Sequence, residues 1–436
     1  MAGTTLSSLS SRDSWRRLEE RLAARLGNPE PDPHPPALLV IDLDRFRAVN
    51  DCLGHSRGDE LLQSVTNRLG DAVGDQGALA HLGGGDEYVV MIDHCSGAGH
   101  TRSVVRAIQS AFRAPFKLDG QPDGQEVYVS VSIGVATSDP VSGQQTPEEY
   151  LRRADTAMYH AKSTGRGNFA MYTRAMRTHR NSEYLLEQEL RRAVARREFE
   201  VHYQPIVNLG DGAIEGFEAL VRWRHPERGL VYPDTFIPMA EQTGLILPIG
   251  WMVLEEACRE LSSWRAESTG RPFVSVNFSG LQFMQADMVD RVESVLHDTG
   301  CQAADLRVEL TETMAMEPSG VGVDTLRRLS DLNVQLYLDD FGTGYSSLSH
   351  LHRLPTHAIK IDRSFINQVT RNPEIVRAIL ALAGSLDMRV EAEGIETSLQ
   401  LACLRELGCQ FGQGFFFSRP VPSGAAARLV DTHLAH

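Results

Sequence analysis

The sequence predicts an α+β half with a mostly antiparallel sheet, followed by a half that forms a (β/α)8-type barrel. Two observations predict the first half: strands and helices are mixed along the chain, and two strands flank a glycine-rich turn. One observation predicts the second: short apolar strands alternate with helical segments from residue 198 onward. We place the boundaries at 1–174 and 198–436, with a connecting helix over 175–197.

The elements of the first half follow from hydrophobic periodicity and turn residues. A helix is predicted over Trp15 to Arg25, a strand over Ala37 to Asp42, and a helix from about Phe46 to Leu69. The predicted hairpin pairs Leu79 to Leu82 with Tyr88 to Ile92. The remaining predictions are a helix over Thr101 to Phe112, a strand over Val127 to Ala136, a helix over Pro147 to Lys162 and the connecting helix over Arg177 to Arg197.

The second half carries a series of short apolar strands. Repeated strand–helix units over this length predict a barrel whose active site lies at the carboxyl ends of the strands. The predicted strands are Ile214 to Leu220, Phe273 to Val276, Leu306 to Leu310, Gln335 to Leu338, Ala358 to Ile361, Met388 to Ala392 and Cys409 to Phe411.

Composition limits the classes of function. The net charge of −14 argues against a nucleic-acid groove, which needs clustered Lys and Arg. The six cysteines form no CxxC pair, which is typical of reduced thiols in a cytosolic protein. No apolar stretch reaches the roughly 18 residues needed to span a bilayer. We therefore expect a cytoplasmic protein without a membrane segment or a nucleic-acid partner.

Polar side chains stand at or near the end of each predicted barrel strand. An adjacent pair such as Asp339 and Asp340, if isolated, would be read as a strand end that starts a turn. A whole series of oxygen donors, with one lysine among them, instead indicates a metal-dependent site. The series is Glu218, Asn277, Glu309, Asp339, Asp340, Lys360, Glu393 and Gln413.

Carboxylate and amide ligands suit Mg2+ or Mn2+. Two such ions about 3.5–4 Å apart can activate a water and hold phosphate oxygens. We expect Asp339 to bridge them. Lys360 would orient the water or neutralise developing charge, although a structural salt bridge is its alternative role. The predicted ligands are Glu218, Asn277 and Glu309 for one ion and Asp340 and Glu393 for the other, with Glu312 and Glu396 holding the loop from Asp340 to Ser346. This chemistry is phosphodiester hydrolysis.

Eight short motifs occur in order over residues 182–425. They are Tyr203-Gln204-Pro205, Glu218-Ala219-Leu220 with Arg222-Trp223, Val276-Asn277-Phe278-Ser279, Glu309-Leu310-Thr311-Glu312, Asp339-Asp340-Phe341-Gly342-Thr343-Gly344, Ile359-Lys360-Ile361-Asp362, Glu393-Gly394-Ile395-Glu396 and Gly412-Gln413-Gly414. With these motifs, this part of the chain resembles EAL-domain cyclic di-GMP phosphodiesterases. The resemblance implies Mg2+- or Mn2+-dependent opening of cyclic di-GMP to linear pGpG. It also implies ligand contacts by Gln204, Leu220, Arg222 and Gln413.

The first half carries its own set of motifs: Asp42 to Arg47, Asn50-Asp51, Gly54 to Asp59 and Gly84-Gly85-Asp86-Glu87-Tyr88. With these motifs it resembles the GGDEF, or diguanylate cyclase, family. The resemblance implies a domain like the palm of nucleotide cyclases, with a ferredoxin-like core and one Mg2+–GTP. The implied roles are metal binding by Asp42, Asp86 and Glu87, guanine contacts by Asn50 and Asp59, and phosphate contacts by Lys162 and Arg166. Synthesis of cyclic di-GMP from two GTP would require a homodimer.

The first half also departs from that family. Its opening motif, at Leu6 to Arg12, lacks the usual glycine and asparagine, and an additional Gly83 predicts a bulge in the hairpin. Three hypotheses therefore stay open. The chain is a bifunctional enzyme, a phosphodiesterase whose first domain only binds GTP as a regulator, or a non-catalytic cyclic di-GMP receptor.

Overall fold

The computed structural model describes residues 11–27, 34–82, 85–95, 97–118, 126–138, 146–268, 270–316, 323–343, 351 and 354–434. The chain divides into two compact units between Glu183 and Tyr184. This division falls inside the predicted connecting helix, which the structure places at Arg174–Arg196. No helix within the described ranges combines the length and the apolar character needed to cross a membrane.

Unit 1 is an α+β domain, as predicted. Its described strands are β1 (Ala37–Leu43), β2 (Gly77–Leu82), β3 (Glu87–Ile92), β4 (Phe116–Lys117), β5 (Glu126–Val127), β6 (Val131–Thr137) and β7 (Phe169–Met171). Its helices are α1 (Ser11–Leu26), α2 (Phe46–Leu53), α3 (His55–Val73), α4 (Ala98–Ala111) and α5 (Pro147–Ser163), and α6 (Arg174–Arg196) follows.

The main sheet of unit 1 has the order β2-β3-β1-β6-β7. Its pairings are antiparallel except that β6 and β7 run parallel. Successive residues of a strand face opposite sides of the sheet. The central strand β1 is apolar at successive positions, so it contributes to a core on each face. Leu39 and Ile41 join one core with α3 and α4, whereas Leu38 and Val40 join a second core with α1 and α5. Helices therefore cover both faces of the sheet.

Two elements of unit 1 differ from the sequence prediction. The helix predicted from Phe46 to Leu69 is divided into α2 and α3 at Gly54, whose φ of 83° is incompatible with a continuous helix. The strand predicted over Val127 to Ala136 is likewise two strands. β5 pairs with β4, and only β6 joins the main sheet. The sequence analysis did not predict β4 or β7.

Unit 2 is the predicted barrel. Its described strands are β8 (Phe199–Asn208), β9 (Ile214–His225), β10 (Gly229–Val231), β11 (Phe273–Asn277), β12 (Leu306–Thr311), β13 (Gln335–Phe341), β14 (Ala358–Ile361), β15 (Arg389–Ala392), β16 (Phe411–Gly412) and β17 (Val421–Pro422). Its described helices are α7 (Pro233–Thr243), α8 (Ile246–Glu267), α9 (Gly280–Phe283), α10 (Met288–Thr299), α11 (Glu312–Met316), α12 (Val323–Asp331), α13 (Arg363–Ile366), α14 (Glu374–Ser385), α15 (Ser398–Glu406) and α16 (Ser423–Ala427).

The barrel closes in the order β9-β11-β12-β13-β14-β15-β16-β8 among the described strands, because β8 also pairs with β9. In this order, the seven strands β9, β11, β12, β13, β14, β15 and β16 are parallel to one another, whereas β8 is antiparallel to both of its neighbours. β8 was not predicted, since its sequence lacks the strand–helix spacing of the others. The parallel strands bring their carboxyl ends to one mouth of the barrel.

Candidate active site

The polar residues predicted at strand ends lie at the carboxyl-end mouth of the barrel. Register fixes their relative depth: Ser275 on β11 lies opposite Glu218 on β9, and Asn277 lies opposite Glu309 on β12. Thr311 in turn lies opposite Asp339 on β13. Glu393 directly follows β15, and Gln413 directly follows β16.

Lys360 on β14 is the centre of this cluster. Its side chain is completely buried, and its Nζ lies 2.5 Å from Glu393 Oε1 and 2.8 Å from Glu309 Oε2. The same Nζ lies 3.6 Å from Glu218 Oε2 and 3.8 Å from Asp339 Oδ1. One buried ammonium is therefore the shared counterion of four carboxylates.

Neutral side chains orient two of these carboxylates. Asn277 Nδ2 donates to Glu218 Oε1 at 2.6 Å, and Gln413 Nε2 donates to Glu218 Oε2 at 2.6 Å. The Ser275 hydroxyl donates to Glu309 Oε1. Both oxygens of Glu218 and both oxygens of Glu309 thus have a partner, which fixes their side chains in the absence of solvent.

Burial and charge shift the protonation equilibria of the cluster. Burial raises the pKa of Glu309 and of Glu393 well above the ordinary value, despite the opposing charge of Lys360. Burial alone would also raise the pKa of Glu218, but the charge of Lys360 and hydrogen bonding lower it below its ordinary value. Burial opposes the charged form of Lys360, yet the surrounding carboxylates raise its pKa well above normal. The lysine is therefore a permanent cation.

Asp339, Asp340 and Glu393 form a group that can hold a metal ion. One carboxylate oxygen from each lies within 4.8 Å of the others. Asp340 has φ of 54°, a left-handed conformation that Asp tolerates better than most residues. Burial, and then the charge of Asp339, raise the pKa of Asp340. A divalent cation bound here would relieve this repulsion, so the donor set fits Mg2+ or Mn2+.

Of the two residues predicted to hold the loop after Asp340, the structure brings only Glu312 to the described part of that loop. Glu312 is buried, and its Oε2 accepts a hydrogen bond from the backbone N–H of Gly342 at 2.8 Å. Glu396 is exposed. Residues 344–346, which complete the predicted loop, lie outside the described residues.

The residues expected to contact a dinucleotide surround the same mouth. Leu220 and Arg222 follow Glu218 on β9 at alternate positions, so all three share one face of the strand. Gln204 on β8 lies opposite Glu218, and its Nε2 donates to the carbonyl of Ser418 at 3.1 Å. The Oε1 of Gln413, discussed above, is buried without a hydrogen-bond partner, which leaves an acceptor for a ligand or a water.

Unit 1 brings its predicted metal ligands to one edge of its sheet. Asp42 at the end of β1 pairs with Glu87 at the start of β3, and Asp86 immediately precedes Glu87. Lys162 Nζ lies 2.6 Å from Asp42 Oδ2. Burial raises the pKa of Asp42 to about 6 although Lys162 opposes the shift, and Asp86 and Glu87 add to it.

The residues predicted to bind GTP are placed less completely. A Cβ at Gly58 would lie 1.8 Å from Asn50 Oδ1, so the glycine makes room for that side chain. Asp59 and Arg166 are exposed. Gly83 and Gly84, on which the predicted bulge depends, lie outside the described residues.

Two residues of the barrel interior were missed by the sequence analysis. Ser275 orients Glu309, as described above. Glu391 is buried on the face of β15 that also carries Glu393, and one of its oxygens has no hydrogen-bond partner. Burial raises the pKa of Glu391 to about 7, while Lys360 and Arg307 oppose the shift. Counting alternate residues back from each strand-end ligand would have identified both.

Comparisons with known proteins identify two protein families in this chain. A family model described as "EAL domain" matches residues 187–420, and one described as "Diguanylate cyclase, GGDEF domain" matches residues 6–168. The chain is 40% identical over 409 residues to the bifunctional diguanylate cyclase/cyclic di-GMP phosphodiesterase MucR of Pseudomonas aeruginosa, covering 93% of this chain and 58% of MucR. It is 40% identical over 401 residues to the cyclic di-GMP phosphodiesterase NbdA of the same organism, covering 91% of this chain and 50% of NbdA.

The chain thus spans only about half the length of the curated relatives it matches. Among solved structures, the PaMucR phosphodiesterase in complex with c-di-GMP is similar at a TM-score of 0.54 and 43% identity, covering 56% of this chain and 99% of that one. The EAL enzyme Bd1971, in its cAMP- and cyclic-di-GMP-bound form, has a TM-score of 0.56 and 32% identity, covering 71% of this chain and 85% of that one. The chain belongs to the EAL domain family, and a GGDEF domain precedes its EAL domain.

Proposed function

We propose that unit 2 hydrolyses cyclic di-GMP to linear pGpG at the barrel mouth. The observation that carries the proposal is the burial of one lysine among four carboxylates. Two of these, Asp339 and Glu393, form with Asp340 the group that can hold a metal ion. Two relatives that match along most of this chain, MucR and NbdA, bear the names of cyclic di-GMP enzymes, which supports the choice of substrate.

The charge of the cluster supports the proposed number of metal ions. When all five carboxylates are ionised, they and one ammonium leave four negative charges, which two divalent cations would neutralise. The carboxylates are Glu218, Glu309, Asp339, Asp340 and Glu393, and the ammonium is that of Lys360. We therefore propose Mg2+ or Mn2+ as the cofactor, with Asp339 as the shared ligand. Glu218, Asn277 and Glu309 would complete one ion's ligand set, and Asp340 and Glu393 the other's.

When bound, a pair of divalent cations supplies Lewis-acid activation of water and of the phosphate. The water oxygen forms a bond to phosphorus while the bond from phosphorus to a ribose 3′ oxygen breaks, and the 3′ oxygen takes up a proton. The charge of Lys360, whose pKa the surrounding carboxylates raise, would stabilise the negative charge that develops on the phosphate in the transition state. Glu312 keeps Asp340 in place by holding the backbone of Gly342.

A single incubation tests the hydrolase proposal. Purified protein is supplied with Mn2+ or Mg2+ and cyclic di-GMP, and the products are resolved by chromatography. We expect pGpG from the wild-type chain and none from Asp339→Asn, whereas Asp298→Asn, at an exposed acid on α10, should retain activity. If no pGpG forms from wild type, or if Asp339→Asn is as active, the hydrolase proposal is wrong.

We further propose that unit 1 binds Mg2+–GTP. Asp42, Asp86 and Glu87 converge at one sheet edge, which supports metal binding there, and the exposed Arg166 is available to phosphates. The cyclase and regulator hypotheses both start from this binding. Synthesis of cyclic di-GMP additionally needs a homodimer, because each unit would hold only one GTP.

Two measurements separate these hypotheses. The first is GTP binding in Mg2+ by calorimetry, with Asp42→Asn as the variant expected to lose it. The second is formation of cyclic di-GMP from GTP in an Asp339→Asn background, which removes the hydrolase, at rising protein concentration. GTP binding that changes the hydrolysis rate without any synthesis supports the regulatory hypothesis. The cytoplasmic location expected from the cysteines stays a prediction.

A further inference from the structure

Tyr232 presents an exposed aromatic ring beside the barrel mouth. It directly follows β10, and the residue is 59% exposed. The β9–β10 hairpin pairs Leu230 with Arg224 and Val231 with Trp223. The next position in this register places Tyr232 opposite Arg222. The Arg222 guanidinium carbon lies 5.2 Å from the centre of the Tyr232 ring, a cation–π contact.

Arg222 connects this ring to the metal-binding cluster. Glu218, Leu220 and Arg222 occupy one face of β9, so Arg222 lies about 13 Å along the strand from Glu218. This separation suits a nucleotide whose phosphate lies at the metal ligands and whose base reaches the rim. Arg222 is only 5% exposed, and its Nη1 donates to the Val221 carbonyl at 2.8 Å, so its guanidinium is held in one orientation.

The geometry determines where a base would lie. Arginine recognises guanine by donating two hydrogen bonds to its O6 and N7, which puts the guanidinium in the plane of the base. Because the guanidinium of Arg222 lies over the Tyr232 ring, a guanine in that plane would extend over or beside the same ring. The exposed ring surface is then the surface on which the base stacks.

We propose that Tyr232 is a substrate-positioning residue that stacks on one guanine of the cyclic dinucleotide while holding Arg222 against its edge. This inference rests on the proposed function, because it takes the barrel mouth to be the dinucleotide site. It adds a stacking surface to the metal cluster and to Arg222. It also accounts for the exposure of an aromatic ring that would otherwise serve only to cover the arginine.

The test measures binding separately from chemistry. The dissociation constant of cyclic di-GMP is determined by calorimetry in Ca2+, with chromatography confirming that the ligand stays intact. The variants are Tyr232→Ala and Tyr232→Phe, and the control is Leu399→Ala, which removes an equally exposed apolar side chain (65%) from α15. Loss of one base stack costs about 1–3 kcal/mol, which corresponds to roughly 5- to 150-fold weaker binding.

We expect Tyr232→Ala to weaken binding by that factor. Tyr232→Phe, which keeps the aromatic ring, should retain most of the wild-type affinity, and Leu399→Ala should bind as wild type. In Mn2+, the KM of Tyr232→Ala for cyclic di-GMP should rise by a similar factor with little change in kcat. Its hydrolysis of bis(p-nitrophenyl) phosphate, which has no base, should be unchanged.

Binding by Tyr232→Ala within twofold of wild type would overturn the inference. An equal loss of activity on cyclic di-GMP and on bis(p-nitrophenyl) phosphate would also overturn the inference, because the ring would then act on the metal cluster. Failure of the proposed function looks different: the wild-type chain would bind cyclic di-GMP without hydrolysing it, and the binding comparison would still decide the role of Tyr232. If the wild type does not bind the dinucleotide at all, both proposals are wrong.

Discussion

The lysine at the centre of the barrel can be replaced by a side chain of similar length without charge. Lys360→Met removes an ammonium that lies within 4 Å of four carboxylates and is fully buried. Removing one partner of a buried ion pair typically costs about 3–5 kcal/mol, because the remaining charge has no counterion. We expect a loss of roughly this size in the free energy of unfolding of unit 2 in metal-free protein at pH 8.

Protons and metal ions should both reduce that loss. The raised pKa values of Glu309 and Glu393 mean that these acids take up protons more readily in the folded state than in the unfolded chain. The cost of Lys360→Met should therefore be smaller at pH 5 than at pH 8. Divalent cations supply the missing positive charge directly, so saturating Mn2+ should also narrow the difference from wild type.

The assay is urea unfolding followed by tryptophan fluorescence, since three of the four tryptophans lie in unit 2 at positions 223, 251 and 264. Each protein is measured in EDTA and in Mn2+, at both pH values. Lys117→Met, at an exposed lysine of unit 1, is the matched control and should unfold as wild type. A loss below about 1 kcal/mol in EDTA at pH 8, or a loss that Mn2+ leaves unchanged, would refute the charge-balance reasoning.

Three further predictions concern single side chains. Burial raises the pKa of Asp42 in the folded protein from its ordinary value of 3.8 to about 6, so its contribution to stability is present below about pH 4 and lost as pH rises through 6. Asp42→Asn should therefore flatten the pH dependence of unit 1 unfolding in EDTA, measured by circular dichroism. Glu312→Ala should lower kcat for cyclic di-GMP about tenfold or more, with the fold retained, because it frees the backbone after Asp340. Gly216→Ala should destabilise unit 2 by about 1–3 kcal/mol, because its Cβ would lie 2.6 Å from the buried ring of Phe273, whereas Gly384→Ala on α14 meets open space and should be neutral or stabilising in the same urea titration.

The parts of the fold predicted from the sequence were those with strong periodicity. The parallel barrel strands are short, largely apolar segments that alternate with helical segments, so their positions and their common polar end could both be predicted. β8 could not be predicted in this way, because it closes the barrel by antiparallel pairing with β9 and β16, and the strand–helix spacing does not indicate that pairing. The break at Gly54 depends on a positive φ that helical periodicity does not reveal.

The candidate site shows a similar limit. The sequence indicated which residues stand at strand ends, but not how their charges are shared. Neither the four-way contact of Lys360 nor the hydrogen bonds from Asn277 and Gln413 to Glu218 follow from spacing. The same holds for the contact between Tyr232 and Arg222, which requires the register of a short hairpin between two strands.

Each unit places a lysine against an acid expected to bind a metal ion, and burial separates their roles. Lys162 lies 2.6 Å from Asp42 with its side chain 29% exposed, so it can leave the acid when a cation enters and turn toward a phosphate. Lys360 lies 2.5 Å from Glu393 and is completely buried, so its ammonium cannot turn away into solvent. A metal ion held by Asp339, Asp340 and Glu393 would therefore bind beside this ammonium, and under the proposed function its charge would act on the phosphate of the substrate.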